Sequence, residues 1–196
     1  MNERSAVLVS GSPRTHGNTA FALGVAGETL TELGYRTRRL QLSAIDFGSC
    51  IACERCRRDG VCTGLDDDLT PWYPRLLAAE VWVLASPVYN YNVTSWMKAF
   101  IDRLYCFYDF DPADRHRWSS RIADRGIRAV TAVTGEQLSD HDLGFASEAL
   151  TRPLEALGVG LACTVRFRGY FGPGALGRDH ARVRDYRTRL AGALRS

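Results

Sequence analysis

Ser10-Gly11-Ser12-Pro13-Arg14-Thr15-His16-Gly17-Asn18-Thr19 stands between an apolar run, Ala6-Val7-Leu8-Val9, and a helix-like pattern over residues 20–33. The run reads as a buried strand, and the pattern carries Phe21, Leu23, Val25, Leu30 and Leu33 among its apolar positions. The stretch is therefore a strand–loop–helix turn. Its small residues and hydroxyls put backbone N–H groups and Ser and Thr oxygens at a helix N-terminus, which suits a phosphate, and Arg14 adds a fixed cation. Neither G-x-x-x-x-G-K-[ST] nor G-x-G-x-x-G occurs in it, which excludes a Walker loop and a dinucleotide fingerprint. Two readings remain: a hydroxyl-lined loop for a monophosphate, and an ordinary turn with Asn18 or Thr19 as helix N-cap.

Outward from this turn, strand and helix patterns alternate. Residues 37–42 read as a short strand, and a cysteine-rich insert follows over about 46–64. Asp66-Asp67-Asp68 can cap a helix running to Ala79, with Pro71 in its first turn and Pro74 blurring its start. Val81-Trp82-Val83-Leu84-Ala85 is a buried strand that ends in Ser86-Pro87-Val88-Tyr89-Asn90-Tyr91-Asn92. Residues 94–105 form an amphipathic helix with Trp96, Met97, Phe100, Ile101, Leu104 and Tyr105 on one stripe. Residues 106–125 are aromatic, charged and irregular. A strand over 127–133 runs into Thr134-Gly135-Glu136, and a helix bent near Pro153 covers 140–157. A fifth strand spans 159–165, and a basic amphipathic helix spans 179–194.

Five strands separated by helices predict one α/β domain over 1–196, a doubly wound five-stranded parallel sheet of order 2-1-3-4-5 with helices on both faces. Ligands of such sheets sit at the carboxyl ends of the strands, at the switch between strands one and three. The loops at 10–19, 86–93 and 134–139 converge there. Pro87-Val88-Tyr89-Asn90-Tyr91 offers a face for a flat heteroaromatic ring.

The 196 residues carry a net charge of +3 and are 45% hydrophobic. That charge is too small to argue for nucleic acid or membrane binding. Met1-Asn2-Glu3-Arg4 leads straight into a short strand with no signal core, so a cytoplasmic location is expected. Cys50, Cys53, Cys56 and Cys62 fall within thirteen residues, which in the cytosol suggests metal or redox chemistry before structural disulfides. Cys106 and Cys163 read as core residues. His16, His116, His141 and His180 have no metal-ligand spacing and read as surface residues.

Gly11-Ser12-Pro13-Arg14 with Gly17-Asn18-Thr19 resembles the FMN phosphate loop of the NADPH-dependent FMN reductase family, within the flavodoxin-like fold. Ser86-Pro87-Val88-Tyr89, followed by Lys98-Ala99-Phe100-Ile101-Asp102-Arg103, resembles that family's second flavin loop and helix. The resemblance covers roughly residues 5–165. It implies that Ser10, Ser12, Pro13, Arg14, Asn18 and Thr19 hold the FMN phosphate. It implies further that Pro87, Val88, Tyr89, Asn90, Tyr91 and Asn92 line the ring, and that Thr134, Gly135 and Glu136 approach from the third loop. Many relatives have a glycine pair there, whereas Glu136 follows Gly135 in this chain, and a carboxylate pointing at the ring disfavours an anionic reduced flavin. The cysteine spacing, C-x2-C-x2-C-x5-C, resembles the iron–sulfur flavoprotein branch, in which Cys50, Cys53, Cys56 and Cys62 would hold a 4Fe-4S cluster. Arg55, Arg57 and Arg58 would then offset its negative charge. The same run also suits redox thiols without a cluster.

The implied activity is transfer of electrons from NAD(P)H or a ferredoxin-like donor, through FMN, to a small acceptor such as a flavin or quinone. No side chain stands out as a general acid or base. The family also implies a homodimer, and a redox protein partner is open. A flavodoxin-like carrier without its own substrate is the alternative, weakened by the mildly basic charge. A phosphatase is disfavoured, since neither C-x5-R nor G-x-S-x-G occurs.

Overall fold

In the computed structural model, residues 4–195 are described. Met1, Asn2, Glu3 and Ser196 lie outside them, and with them the lead-in to the first strand. The chain folds into β1 (Ser5–Ser10), α1 (Asn18–Glu32), β2 (Arg36–Gln41), α2 (Arg55–Asp59), α3 (Tyr73–Ala78), β3 (Val81–Pro87) and α4 (Ser95–Arg103). There follow β4 (Tyr108–Phe110), β5 (Trp118–Ser120), β6 (Arg128–Thr134), α5 (Ala146–Ala156), β7 (Gly160–Phe167), α6 (Ala175–Arg178) and α7 (His180–Arg195). Five strands form a parallel sheet in the order β2-β1-β3-β6-β7. With the separate antiparallel hairpin β4–β5 set aside, that is the order 2-1-3-4-5.

Successive strand residues point to opposite faces, and both faces are apolar. Ala6 and Leu8 of β1 and Val81, Val83 and Ala85 of β3 join a core with Leu23 and Leu30 of α1 and Tyr186 and Leu190 of α7. Val7, Val9, Trp82 and Leu84 point the other way, into a core with Tyr73, Phe100 and Leu150 from α3, α4 and α5. Each such fully buried large side chain contributes roughly 1.5–3 kcal/mol. β2 lies at the sheet edge, where the exposed Arg36, Arg38 and Arg39 discourage further strand pairing.

Several elements depart from the sequence pattern, each for a local reason. The helix expected over 140–157 begins only at Ala146. Gly144, at φ 56° and ψ −129°, breaks any earlier turn, and the Phe145 N–H is drawn to the Tyr91 carbonyl at 2.8 Å. Pro153 lies inside α5 without ending it. The helix expected from the aspartate run starts as a 3₁₀ turn, Thr70–Trp72, and becomes α3 at Tyr73, while Asp67 Oδ1 accepts the Leu69 N–H at 3.2 Å in the turn before it. Residues 104–107 tighten into a 3₁₀ turn after α4. The segment read as irregular holds the β4–β5 hairpin, with Phe110 opposite Trp118. Among the described residues no helix is long and apolar enough to cross a membrane.

Candidate functional site

At the carboxyl ends of β1, β3 and β6 the following loops enclose a cleft of about 490 Å³. Ser12, Arg14, Asn18, Thr19, Pro87, Val88, Tyr89, Asn90, Tyr91, Thr134, Gly135 and Glu136 line it, so three stretches far apart in sequence meet. Ser10, Pro13 and Asn92 are not in the lining. Ser10 ends β1, fully buried, and its Oγ has no partner among the described residues. Asn92 Oδ1 accepts the Val93 N–H at 2.8 Å, which fixes the exit from the second loop.

Five further lining residues escaped sequence reasoning: Asp142, Leu143, Tyr170, Gly172 and Pro173. The first two were hidden by the helix expected over them. The others follow β7, where Gly169-Tyr170-Phe171-Gly172-Pro173-Gly174, glycine-rich with two aromatics at a strand's carboxyl end, was the available signal.

The first loop is held by its neighbours. The Gly11 N–H donates to Ala85 O at 2.8 Å, and Gly11 O accepts from Thr94 Oγ1 at 2.7 Å. A Cβ on Gly11 would stand 2.8 Å from that of Met97, so only glycine lets the loop rest on the first turn of α4. Ser12 Oγ accepts the Arg14 N–H at 3.1 Å, and Ser12 O accepts from the side chains of Gln41 and Ser43. The N-cap of α1 is Gly17, not Asn18 or Thr19, and it brings no side-chain cap. Asn18 Nδ2 donates to Tyr170 O at 3.0 Å and Gly172 O at 2.9 Å, while its Oδ1 accepts the Leu176 N–H at 3.0 Å. Thr19 Oγ1 and Thr134 Oγ1 share a 2.5 Å hydrogen bond. These side chains stitch loops together, and the N–H groups of Asn18, Thr19 and Ala20 are left with no helical acceptor. That uncapped helix start carries partial positive charge. Arg14, exposed at the rim, makes no ion pair among the described residues. A monophosphate fits this donor set.

In the second loop Asn90 (φ 49°) and Tyr91 (φ 65°) are both left-handed. Tyr89 and Asn92 exchange backbone hydrogen bonds of 2.8 and 3.1 Å across them, closing a two-residue type I′ turn. A tyrosine at positive φ is strained by about 1–3 kcal/mol. The bond from Phe145 to Tyr91 O holds it there, and Gly144 packs so closely that a Cβ would collide with that carbonyl. Tyr89 and Tyr91 remain 45% and 55% exposed, an aromatic wall against which a flat ring fits. In the third loop the Gly135 N–H donates to Phe167 O at 2.8 Å, and a Cβ on Gly135 would stand 2.5 Å from Leu143. Glu136 and Asp142 bring carboxylates to the same cleft.

The cysteine segment follows β2. Cys50 and Cys53 are exposed, Cys56 and Cys62 half-buried, and all four are free thiols. They line one cavity of about 20 Å³ with Gly64, Leu65 and Tyr105. Ala52 (φ 52°) and Glu54 (φ 57°) are left-handed, which coils the chain tightly around it. Burial, then the charges of Cys62, Cys50 and Cys53, raise the Cys56 thiol pKa. Arg57 lies over the Phe110 ring at 4.4 Å, bonds Tyr105 Oη at 2.8 Å and pairs with Glu54 at 3.1 Å. Arg58 pairs with Asp59 at 2.7 Å. Those two arginines therefore have partners other than the thiols. At the base, Asp67 pairs with Arg103 at 2.6 Å. Burial disfavours both charges there, and their mutual hydrogen bonds reverse the effect: the Asp67 carboxyl lies below its usual range and the Arg103 guanidinium above its own.

Four thiols on one segment are the donor set of a four-iron cluster. Among the described residues, however, no three His, Cys, Asp or Glu side chains close on a single-ion site. Cys106 and Cys163 are buried, one in each core, and burial pushes the Cys106 thiol up to about 12. The four histidines are exposed.

The family model for NADPH-dependent FMN reductases matches residues 5–141. An iron–sulfur flavoprotein of Archaeoglobus fulgidus is 37% identical over 100 residues, 50% of this chain and 44% of the relative. The chain thus spans about half the length of the curated relatives it matches. An FMN-dependent NADH-azoreductase from Bacillus anthracis, solved in complex with FMN, superimposes with a TM-score of 0.70 at 14% identity, over 96% of this chain and 100% of that one. An NAD(P)H:quinone oxidoreductase from Methanothermobacter marburgensis does so with a TM-score of 0.68 at 19% identity, over 97% of each chain. These two likenesses speak for a shared fold.

Proposed function

The chain belongs to the NADPH-dependent FMN reductase family, and on that premise we propose that it binds FMN in the 490 Å³ cleft and passes electrons from NAD(P)H or a ferredoxin-like donor to a small acceptor such as a flavin or quinone. The observation that carries this reading is the meeting, in one cleft, of an uncapped helix start, an arginine with no ion pair among the described residues and a tyrosine wall.

In this reading the N–H groups at the start of α1 and the Arg14 guanidinium hold the phosphate. Gly17 keeps that approach clear of side chain. Tyr89 and Tyr91 lie against the ring and shape access to it, and Gly135 admits the ring edge from the third loop. Glu136 adds negative potential on that side, which disfavours gain of negative charge at the ring. FMN, when bound, supplies the hydride and single-electron chemistry, and the protein supplies position and potential.

Cys50, Cys53, Cys56 and Cys62 are proposed to act as one unit, with a 4Fe-4S cluster as the first candidate and a redox dithiol as the second. Their spacing and the name of the Archaeoglobus relative support the cluster. Leu138, Phe145 and Phe171, 80%, 73% and 78% exposed, adjoin lining residues of the cleft. A second copy of the chain is the proposed cover, giving a homodimer in the cytoplasm.

Protein purified without oxygen should show flavin absorption, release FMN on denaturation and turn over NADPH with a quinone or free flavin. Release of FAD, or no flavin uptake, overturns the reading. FMN binding without turnover for any donor–acceptor pair makes it a carrier. Alanine at Tyr89 or Tyr91 should alter flavin fluorescence quenching more than folding.

A further inference from the structure

Arg103 ends α4 with its side chain 1% exposed. Its Nη1 donates to Asp67 Oδ2 at 2.6 Å and to Gly48 O at 2.9 Å, and its Nη2 donates to Asp67 Oδ1 at 3.2 Å. Asp67 in turn accepts the N–H of Gly48 at 3.1 Å and of Leu69 at 3.2 Å. Gly48 is thus gripped through both its N–H and its carbonyl by one ion pair, and the chain between 48 and 67 leaves and returns at a single point. Cys50, Cys53, Cys56 and Cys62 all lie on that closed loop, whose only helix is the five-residue α2. The flavin cleft makes no use of Arg103, which is absent from its lining. The opposite end of α4 is the one that meets the first loop, through Thr94 and Met97 at Gly11.

We propose that Arg103 is the positioning residue of the cysteine site: with Asp67 it cinches the 48–67 loop at its base, and so sets the four thiols around one cavity. This rests on the reading that the four cysteines act as a unit. The planar fork of arginine spans two carboxylate oxygens and a carbonyl at once, which a lysine ammonium does not reproduce. Arg103→Lys therefore keeps the charge and loses the clasp. The pair Arg103→Met with Asp67→Leu removes both charges together, a replacement that well-packed interiors tolerate. It separates positioning from fold stability.

The test uses the full chain, as purified and free of oxygen. Iodoacetamide labelling of each cysteine is followed by peptide mass spectrometry, with circular dichroism and FMN affinity as controls. Reconstitution with ferrous iron and sulfide then reads iron per chain and visible absorption. In both variants Cys56 and Cys62 should label about tenfold faster, as expected for a locally opened segment, with Cys163 and FMN affinity unchanged. Iron content should fall below half that of wild type. Labelling rates and iron content equal to wild type in folded variants overturn the proposal. Wild type that takes up no iron removes the cluster reading instead, and the labelling rates alone then decide for or against the clasp.

Discussion

The cleft at the strand ends and the cysteine segment each bring sequence-nominated residues together, and different forces hold them. The cleft loops continue β1, β3 and β6, whose ladders and two apolar cores fix where each loop starts. The side chains nominated as ligands help little to shape it beyond stitching: Asn18 holds the 170–176 loop and Thr19 holds Thr134. The cysteine segment lies between β2 and α3 with one short helix of its own. It is shaped by the Arg103–Asp67 pair at its base and by Arg57 and Arg121 against the β4–β5 hairpin. A site built on sheet ends survives the loss of a side chain, whereas a site built on a few polar ties follows each of them.

The largest test of that contrast is Arg103→Met. Leaving Asp67 half-buried and unpaired should cost about 3–5 kcal/mol in urea unfolding, and adding Asp67→Leu should recover most of it. A loss below about 1 kcal/mol would put the pair on the footing of a surface ion pair and erase the contrast.

Next is Arg14→Ala, which should weaken FMN binding by about 1.5–3 kcal/mol in a fluorescence titration while leaving fold stability within about 0.5 kcal/mol. Unchanged affinity would remove the first loop as the phosphate seat. Gly144→Ala strikes the cleft from behind. At φ 56° its new Cβ meets the Tyr91 carbonyl, so about 1–3 kcal/mol of stability should go and flavin quenching should change. If the Tyr91 turn is an independent unit, quenching will not move.

The Asp67 carboxyl supplies a pH signature. Its pKa lies below the ordinary range because, against desolvation, the Arg103 and Gly48 hydrogen bonds favour the ionised form. A carboxyl depressed in the fold adds stability that is complete above its unfolded pKa of about 4 and is lost as pH falls through the lower folded value. The stability gap between wild type and Asp67→Asn should therefore be flat from about pH 5 to 8 and shrink below about 4. A gap that instead narrows toward neutral pH would contradict the assignment. The smallest effect belongs to Lys98→Ala on the same helix. Lys98 and Asp102 pair at 2.5 Å but are 56% and 40% exposed, so thermal unfolding should report about 0.3–0.5 kcal/mol.

β1, β3 and β6 were legible because apolar runs such as Val81-Trp82-Val83-Leu84-Ala85 are buried on both faces and need no partner to be recognised. The three cleft loops were legible for the same reason, since each follows such a run. The late start of α5 was not, because a glycine in a conformation helices do not adopt, and the carbonyl of Tyr91, fifty-four residues before Phe145, hold the chain out of a helix up to Phe145. Asp67 was legible as a turn-forming residue, and its Oδ1 does accept the Leu69 N–H, but nothing nearby in sequence announces its pairing with Arg103, thirty-six residues on. The β4–β5 hairpin is too short and too charged to show a period of two.

By itself the sequence determined the strand–loop–helix turn at residues 10–19, the alternation of elements and the spacing of four cysteines, all local in the chain and set by the periodicity and steric limits of neighbouring residues. The tertiary structure alone decided that Gly17 rather than Asn18 caps α1, that Tyr91 is held left-handed by Gly144, and that Arg103 closes the cysteine loop. Each of these depends on a partner distant in sequence, and a donor or a charge finds its partner only when packing has brought the two together and excluded water from between them.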